Sequence, residues 1–226
     1  MYKKDVFKKL DAKYNIHLYT GLLGYAMRYS HRQLEKFIGK KKYSKVLEIG
    51  AGSAPNIDYL RHDYDEYFIA ETSSHALEFY KGMKNIKAHS YDGINLPFNS
   101  NFFDRIIISQ CLEHVSEPEN FLFEMMDKLK EGGILSISLP NDPGLLWRLG
   151  RLFIKYFIVN RTYNVSKEEY EYINATEHIN SIFTLINLIR YNFKNQIEEH
   201  CLPFKIKLLD VNLFYIVHIT KSVNFF

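Results

Sequence analysis

Cysteine is scarce in this chain, and long uncharged apolar runs are missing. Cys111 and Cys201 are the only two cysteines among 226 residues, too few for a disulfide scaffold and without the spacing of a zinc knuckle. No apolar run is long enough and free enough of charge to cross a bilayer, and the N-terminal Met1–Asp5 stretch lacks the apolar segment of a signal peptide. We therefore expect a cytoplasmic protein with two ordinary buried thiols.

An excess of charge of one sign is also missing. The formal net charge is +3, and Lys and Arg are scattered apart from the run at 40–42, so no large nucleic-acid footprint is expected. Hydrophobic residues make up 46% of the chain and charged residues 24%. This composition favours one globular domain with a sizeable core, and it contains neither internal repeats nor low-complexity segments.

The most informative motif is a short apolar strand that breaks into a glycine-rich turn. It covers residues 46–55, with Gly50 and Gly52 at the turn and Pro55 after it. Glycine lets the backbone bend sharply and approach a ligand, and a following helix presents unpaired N–H groups. Proline suits a helix start because its missing N–H would have no helical partner there. A lone G-x-G is weak evidence, so the flanking sequence must decide.

Strands and helices alternate along the rest of the chain. The strands carry nearly unbroken apolar runs, which is typical of a parallel sheet buried on both faces. The predicted fold is therefore α/β and doubly wound, with a mostly parallel sheet, an antiparallel edge and three αβα layers. The predicted strands are 46–49, 67–70, 85–89, 105–109, 133–139, 204–209 and 214–220, and the predicted helices are 56–60, 74–80, 118–130 and 179–191.

Polar residues follow the predicted strands where an open parallel sheet binds its ligand. Glu71 ends the second strand about 20 residues after the glycine turn, the distance at which an acidic side chain can accept from both ribose hydroxyls. Asp92 precedes Gly93 and either accepts the adenine amino hydrogens or serves as an Asx-turn residue. Gln110 follows the fourth strand. The pattern predicts a nucleoside-like ligand.

Taken in order, these motifs resemble those of a class I S-adenosylmethionine-dependent methyltransferase of the small-molecule, type 11-like branch. The resemblance covers about residues 44–140, and Ala54 stands where a third glycine is common. The motifs that carry it are the first motif at 46–54, the adenine loop and fourth strand at Asp92, 96–98 and 103–104, and the stretches 112–115 and 129–133.

The resemblance implies a Rossmann-like fold, S-adenosylmethionine as methyl donor, S-adenosylhomocysteine as product, and no metal. A single domain would then comprise an N-terminal helical cap at 1–43, a cofactor-binding core at 44–140, a variable acceptor or lid region at 141–200 and C-terminal edge strands at 201–226. Helical spacing from Asp5 to Phe37, interrupted near 19–21, predicts two helices in the cap. The implied cofactor residues are Glu48, Gly50, Ala51, Gly52, Glu71, Thr72, Asp92, Gly93 and Gln110.

The expected reaction is methyl transfer to an oxygen or nitrogen of a small molecule, sugar or lipid-linked glycan. An RNA or protein methyltransferase and a non-catalytic cofactor-binding module remain alternatives, although Gln110–Glu113 does not resemble an Asn-Pro-Pro-Tyr motif. His114, after the fourth strand, and His178, after the variable segment, are candidate general bases because neutral imidazole accepts a proton near physiological pH. The structural alternative for His114 is a helix cap.

Residues 145–158 interleave bulky apolar side chains with basic ones. A helix of this kind either rests at a membrane interface, where it covers a lipid-linked acceptor, or packs on the sheet as a lid or core helix. The second interpretation is favoured, because Gly150 and the polar tail weaken the amphipathic pattern. Liposome binding separates the two.

Overall fold

The computed structural model describes residues 21–52, 55–159 and 166–222, without the side chains of residues 22 and 23. The first of the two predicted N-terminal helices lies outside these ranges, as do Ser53 and Ala54 of the glycine-rich motif. The described part of the chain forms a seven-stranded sheet with helices on both faces.

The sheet confirms the predicted architecture. Its strands in chain order are β1 (Tyr43–Ile49), β2 (Tyr64–Glu71), β3 (Ile86–Ser90), β4 (Phe103–Ser109), β5 (Leu129–Pro140), β6 (Ile197–Leu202) and β7 (Phe214–Thr220). Their spatial order is β3-β2-β1-β4-β5-β7-β6, with β1 to β5 parallel and β7 antiparallel between β5 and β6. The carboxyl ends of the five parallel strands therefore meet along one side of the sheet, which we call the carboxyl edge.

Helices cover both faces of the sheet. They are α1 (Gly21–Lys36), α2 (Ser74–Tyr80), α3 (Pro118–Lys128), α4 (Leu145–Phe157), α5 (Lys167–Glu177) and α6 (Ile182–Asn192), with single 3-10 turns at Asn56–Tyr59, Leu112–His114 and Leu209–Val211. Apolar residues of α3 and α6 fill the core on one face, and α1 contributes Leu34 to the core on the other. The three αβα layers are thus confirmed, and α1 lies against the sheet.

The strand predicted over 204–209 is wrong. The edge strand is β6, and the predicted segment forms a loop in which Asn212 occupies the backbone groups that strand pairing would use. Asn212 Nδ2 donates to the carbonyls of Ile206 at 2.8 Å and Leu208 at 2.7 Å. Asn212 Oδ1 accepts the Phe204 N–H at 3.0 Å. Phe204, Ile206 and Leu208 consequently remain exposed.

Two other segments differ from expectation. The helix predicted at 56–60 is only a 3-10 turn. The polar stretch that precedes the predicted helix 179–191 contains a helix of its own, α5, which begins with a capping box formed by Ser166 and Glu169. The sequence does not predict α5, because most of its residues are polar and only a few apolar positions are buried.

A buried ion pair ties α1 to the middle of the sheet. Arg105 of β4 is fully buried and donates to both carboxylate oxygens of Glu35 in α1, at 2.7 and 2.8 Å. The same guanidinium donates to Ser136 Oγ at 3.1 Å and to His62 Nε2 at 2.6 Å. Charges removed from water are tolerated when they are paired and fully hydrogen-bonded. Arg105 thus fixes the position of α1 against β4 and β5.

Helix α4 is amphipathic and lies at the surface. None of its residues is buried, and Trp147 makes an edge contact with Phe214 at 6.0 Å between ring centroids. Among the described helices, none has the length and apolar content needed to cross a bilayer. The core-helix alternative therefore does not describe α4. Its exposed apolar side chains recur at helical spacing and are Leu145, Leu149, Leu152, Phe153, Tyr156 and Phe157.

Candidate active site

The glycine turn at residues 50–52 lies at the carboxyl edge and is braced by neighbouring side chains. Gly50 and Gly52 have φ of +67° and +55°, in the left-handed region that glycine adopts without strain. The Gly52 N–H donates to Glu71 Oε2 at 3.0 Å, and the Gly52 carbonyl accepts from Tyr80 Oη at 2.7 Å. A Cβ on Gly52 would meet no described atom within 4 Å. Glu71 and Tyr80 therefore hold the turn, and the space next to the Gly52 Cα is open.

Glu71 lies at the end of β2, as predicted, and its carboxylate braces the backbone. Oε1 accepts the N–H groups of Thr72 at 2.9 Å and Ser73 at 3.1 Å, while among the described residues Oε2 accepts only the Gly52 N–H. A carboxylate oxygen accepts about two hydrogen bonds, so Oε2 retains capacity for one more donor. That donor can be a ribose hydroxyl, with the turn fixed by the same carboxylate.

Asp92 and Gly93 form a second turn at the carboxyl edge. Asp92 Oδ1 accepts the N–H groups of Ile94 at 2.8 Å and Asn95 at 2.7 Å, which matches the Asx-turn alternative. These hydrogen bonds hold the pKa of Asp92 below its usual value. Gly93 has φ of +87°, and a Cβ there would lie 3.6 Å from Thr72 Cγ2. An adenine contact by Asp92 stays a prediction.

Glu48 supports the chain beyond the glycine turn from inside the protein. Both of its oxygens accept the Asn56 N–H, at 2.8 and 2.9 Å, and Oε2 accepts Tyr67 Oη at 2.6 Å. Burial raises the pKa of Glu48 to about 7, against the opposing effect of these donors. The first N–H of the 3-10 turn is thus occupied by Glu48. The contact of Glu48 with the methionine part of the cofactor stays a prediction.

Asn56 links Glu48 to the buried ion pair. Its Nδ2 donates to Glu35 Oε1 at 2.6 Å, and its Oδ1 accepts from His31 Nδ1 at 2.8 Å. The sequence assigned no role to His31, Glu35 or Asn56, because nothing local marks a polar residue as buried. The glycine turn therefore rests on a hydrogen-bonded network that reaches Arg105.

Gln110 and Cys111 follow β4 beside the glycine turn. Gln110 has φ of +52°, and its N–H donates to the Ser138 carbonyl at 2.9 Å. A Cβ on Gly50 would lie only 2.6 Å from Cys111 Sγ, so the two segments touch. Ala51, between the glycines, packs partly buried against the α1 face of the core. Burial raises the pKa of the Cys111 thiol to about 12, which keeps it protonated.

The two candidate histidines lie side by side, with ring centroids 5.0 Å apart. His114 Nδ1 donates to the Glu177 carbonyl at 2.8 Å, and His178 Nδ1 lies 2.6 Å from Asp142 Oδ2. Burial lowers the pKa of His114, and the neighbouring His178 lowers it further. His114 is therefore a neutral imidazole at physiological pH.

Glu113 completes this group, which we call the histidine cluster (Glu113, His114, His178). Glu113 is 3% exposed, its Oε1 lies 3.8 Å from His114 Nε2, and its Oε2 has no hydrogen-bond partner within residues 21–52, 55–159 and 166–222. Burial raises the pKa of Glu113 to about 8. Arg151 of α4 pairs with Asp142 behind the cluster. The sequence missed Glu113 and Asp142 as site residues, although both adjoin quoted motifs.

The chain is similar in sequence to known methyltransferases. Residues 47–137 match the model of a family described as a methyltransferase domain. A demethylmenaquinone methyltransferase of Staphylococcus saprophyticus is 28% identical over 185 residues, covering 76% of this chain and 78% of that protein. A ubiquinone/menaquinone biosynthesis C-methyltransferase of Erwinia tasmaniensis is 29% identical, covering 60% of this chain and 59% of that one.

Solved structures share the fold. An S-adenosylmethionine-dependent methyltransferase of Thermotoga maritima superimposes with a TM-score of 0.64 at 19% identity, covering 96% of this chain and 99% of that one. Phosphoethanolamine N-methyltransferase 2 of Haemonchus contortus, in complex with S-adenosylmethionine, gives a TM-score of 0.58 at 14% identity over 86% of this chain and 52% of its own. At these identities the likeness is one of fold.

Replacing Gly50 by alanine tests the contact between the turn and the segment after β4. Gly50→Ala should lower the free energy of unfolding by about 2–4 kcal/mol, because left-handed strain adds to the clash with Cys111. Gly52→Ala, which adds strain without a clash, should cost about 1 kcal/mol. Urea unfolding of both variants measures the difference, and Cys111→Ala in the Gly50→Ala background should recover part of the loss. Equal costs at the two glycines would contradict the contact.

The raised pKa of Glu48 makes its contribution to stability depend on pH. Its folded pKa of about 7 exceeds the ordinary value of 4.5, so between these pH values the folded state binds a proton that the unfolded chain releases. The contribution of Glu48 to stability therefore falls as pH rises through this window. Relative to wild type, Glu48→Gln should gain up to about 3 kcal/mol from pH 4.5 to 8 in urea unfolding. The exposed Glu131→Gln is the control, and parallel pH curves for wild type and Glu48→Gln would refute the shift.

Proposed function

Because the chain belongs to the class I S-adenosylmethionine-dependent methyltransferases, we propose that it methylates a small aromatic acceptor of the quinol type on a ring carbon. The observation that carries the proposal is the contact between Gly50 and Cys111, which puts the glycine turn next to the segment leading into the histidine cluster. The names of the relatives indicate carbon as the accepting atom, and carbon replaces the oxygen or nitrogen expected from the sequence.

The residues at the glycine turn fit the nucleoside end of the cofactor. Gly52 leaves open space where a side chain would stand, and Glu71 Oε2 retains capacity for a hydroxyl donor. Gly93 keeps the neighbouring turn free of a side chain beside Thr72. S-adenosylmethionine supplies an electrophilic methyl group on a positively charged sulfur. Alignment of acceptor and methyl group is then the main task of the protein, as in other reactions that depend on proximity.

The histidine cluster is suited to handle the proton of the acceptor. His114 Nδ1–H is held by the Glu177 carbonyl, so Nε2 carries the lone pair of the neutral ring. Nε2 accepts the proton of a ring hydroxyl, and the resulting oxygen anion raises electron density at the adjacent carbon. That carbon bonds to the methyl group as the bond from sulfur to methyl breaks and S-adenosylhomocysteine leaves, and loss of the ring-carbon proton to solvent restores the aromatic ring. Asp142 holds His178 in the matching orientation through Nδ1. His114 is accordingly the proposed base and His178 its partner at the acceptor.

Cofactor binding tests the proposal directly. The purified chain should bind S-adenosylhomocysteine and not NAD in calorimetry. Glu71→Gln should weaken this binding at least tenfold. The carboxylate has two acceptor oxygens, whereas the amide has one, and its NH2 group would face backbone N–H donors. Glu78→Gln, on the exposed side of α2, should leave the affinity unchanged.

Transfer to an acceptor is the second half of this test. With labelled methyl donor and a reduced demethylquinol, the product should carry the label on carbon. Cofactor binding without transfer to quinols, with label appearing in RNA or protein from an extract, favours the RNA or protein methyltransferase alternative. Binding with no labelled product in any fraction favours the non-catalytic module.

We propose that the acceptor reaches the site from a lipid surface. The outward side of α4 is apolar, while Arg151 on its other side pairs with Asp142 behind the histidine cluster. Asp210 Oδ1 accepts the Leu145 N–H at 3.1 Å, which joins the start of α4 to the end of the loop at residues 204–208. That loop alternates exposed apolar residues with Lys205 and Lys207, a pattern that suits an anionic interface.

Vesicle co-sedimentation tests this surface. The full chain should pellet with vesicles containing anionic phospholipid, and Leu149→Ser with Phe153→Ser should reduce the bound fraction at least fivefold, because both side chains are about half exposed on α4. Phe79→Ser, an equally exposed position on α2, should bind as wild type does. Absence of wild-type binding to anionic vesicles, or equal binding by all variants, would exclude the lipid surface.

A further inference from the structure

We propose that the histidine cluster is a binding site for one divalent first-row transition-metal ion, such as Zn²⁺ or Mn²⁺. One ligand atom each from Glu113, His114 and His178 lies within 4.8 Å of the other two. Two imidazole nitrogens and one carboxylate oxygen form the donor set of metal sites that keep open coordination positions. No metal is expected from the sequence, so this site rests on the geometry alone.

The outer hydrogen bonds of both imidazoles match those of metal-bound histidines. In such sites the ring nitrogen that does not bind the metal donates to a carbonyl or carboxylate, which fixes the tautomer. His114 Nδ1 has the Glu177 carbonyl at 2.8 Å, and His178 Nδ1 has Asp142 Oδ2 at 2.6 Å. Nε2 is thereby the nitrogen left to coordinate in each ring.

The carboxylate of Glu113 is the second, independent observation. Its side chain is 3% exposed, and its Oε2 is a buried oxygen with no hydrogen-bond partner in the described structure. A buried polar atom without a partner costs free energy that a bound ligand recovers. Asp142 Oδ1 is a second buried oxygen without a partner among the described residues, and it belongs to the carboxylate that holds His178.

The backbone that carries the ligands is already fixed. Asn180 joins the two segments, because its N–H donates to the Glu113 carbonyl at 3.1 Å and its Nδ2 donates to the Val115 carbonyl at 2.6 Å. The Ile182 N–H donates to the Asp142 carbonyl at 2.8 Å. Metal bonds of about 2.1 Å require ligand atoms about 3.0–3.4 Å apart, so side-chain movements of about 1 Å complete the site.

The catalytic use of the ion rests on the proposed function, whereas its binding does not. His114 Nε2 cannot accept a proton and hold a metal at the same time. With the ion bound, its open positions would take the ring oxygen of the acceptor and lower the pKa of the hydroxyl, whose proton would pass to solvent and not to the imidazole. The cluster is close enough for this role, since Cys111, two residues before Glu113, lies against the glycine turn.

Metal titration of the full-length, chelator-treated protein tests the inference. Calorimetry with Zn²⁺ and Mn²⁺ should give one ion per chain, and Co²⁺ should show visible absorption bands typical of nitrogen and oxygen ligands. Glu113→Gln and His114→Ala should each weaken Zn²⁺ binding at least tenfold, and Asp142→Asn should weaken it about tenfold through His178. His200→Ala, which removes an imidazole beside Glu198 on β6, should bind as wild type does.

Two outcomes overturn the site: no stoichiometric ion in wild type, or equal affinity in wild type and both ligand variants. Because His114 is 40% exposed, its replacement leaves a folded protein even where Glu113→Gln does not, and circular dichroism checks both. Binding of S-adenosylhomocysteine, measured on the same chelator-treated sample, distinguishes failure of the metal site from failure of the proposed function. Cofactor binding without metal binding removes only this inference, and metal binding without cofactor binding removes only the proposed function.

Discussion

The buried pair between Arg105 and Glu35 is the interaction on which the rest of the structure depends. It removes two charges from water in the middle of the sheet, and Ser136, His62 and Asn56 add further hydrogen bonds to the pair. Through Asn56 the pair reaches Glu48, and through Glu48 it reaches the backbone just beyond the glycine turn. The glycine turn is thus positioned by buried electrostatic interactions and not by apolar packing alone.

A small number of contacts likewise holds the histidine cluster together. Residues from three distant parts of the chain converge there: the segment after β4, Asp142 after β5, and the connection between α5 and α6. Asn180 supplies the backbone links, while the carbonyl of Glu177 and the carboxylate of Asp142 orient the two imidazoles. These few contacts therefore fix the position of His178 relative to the segment after β4.

The sequence predicts the sheet and the position of the glycine turn well, because both depend on local patterns. Apolar runs and the glycine turn located the five parallel strands, and the end of β2 located Glu71. The buried network was not predictable from pattern alone: Arg105 sits in an apolar strand, and only the fold shows that Glu35 meets it. The strand predicted over 204–209 is wrong because a local pattern was outweighed by a contact from further along the chain. Its alternation resembles a strand, but Asn212 takes up the backbone groups that a strand would pair.

The reversal of β7 has a topological consequence. Since β6 pairs antiparallel with β7, and β7 with β5, the tip of the β6–β7 hairpin emerges beside Pro140, on the same side as the glycine turn. In an all-parallel sheet a long crossover would join the last two strands and return the chain to the opposite edge. The connection between them would then not lie wholly at the carboxyl edge. The connection between β6 and β7 therefore brings the exposed residues Phe204, Ile206 and Leu208, with Lys205 and Lys207 between them, to the same side of the sheet as the glycine turn.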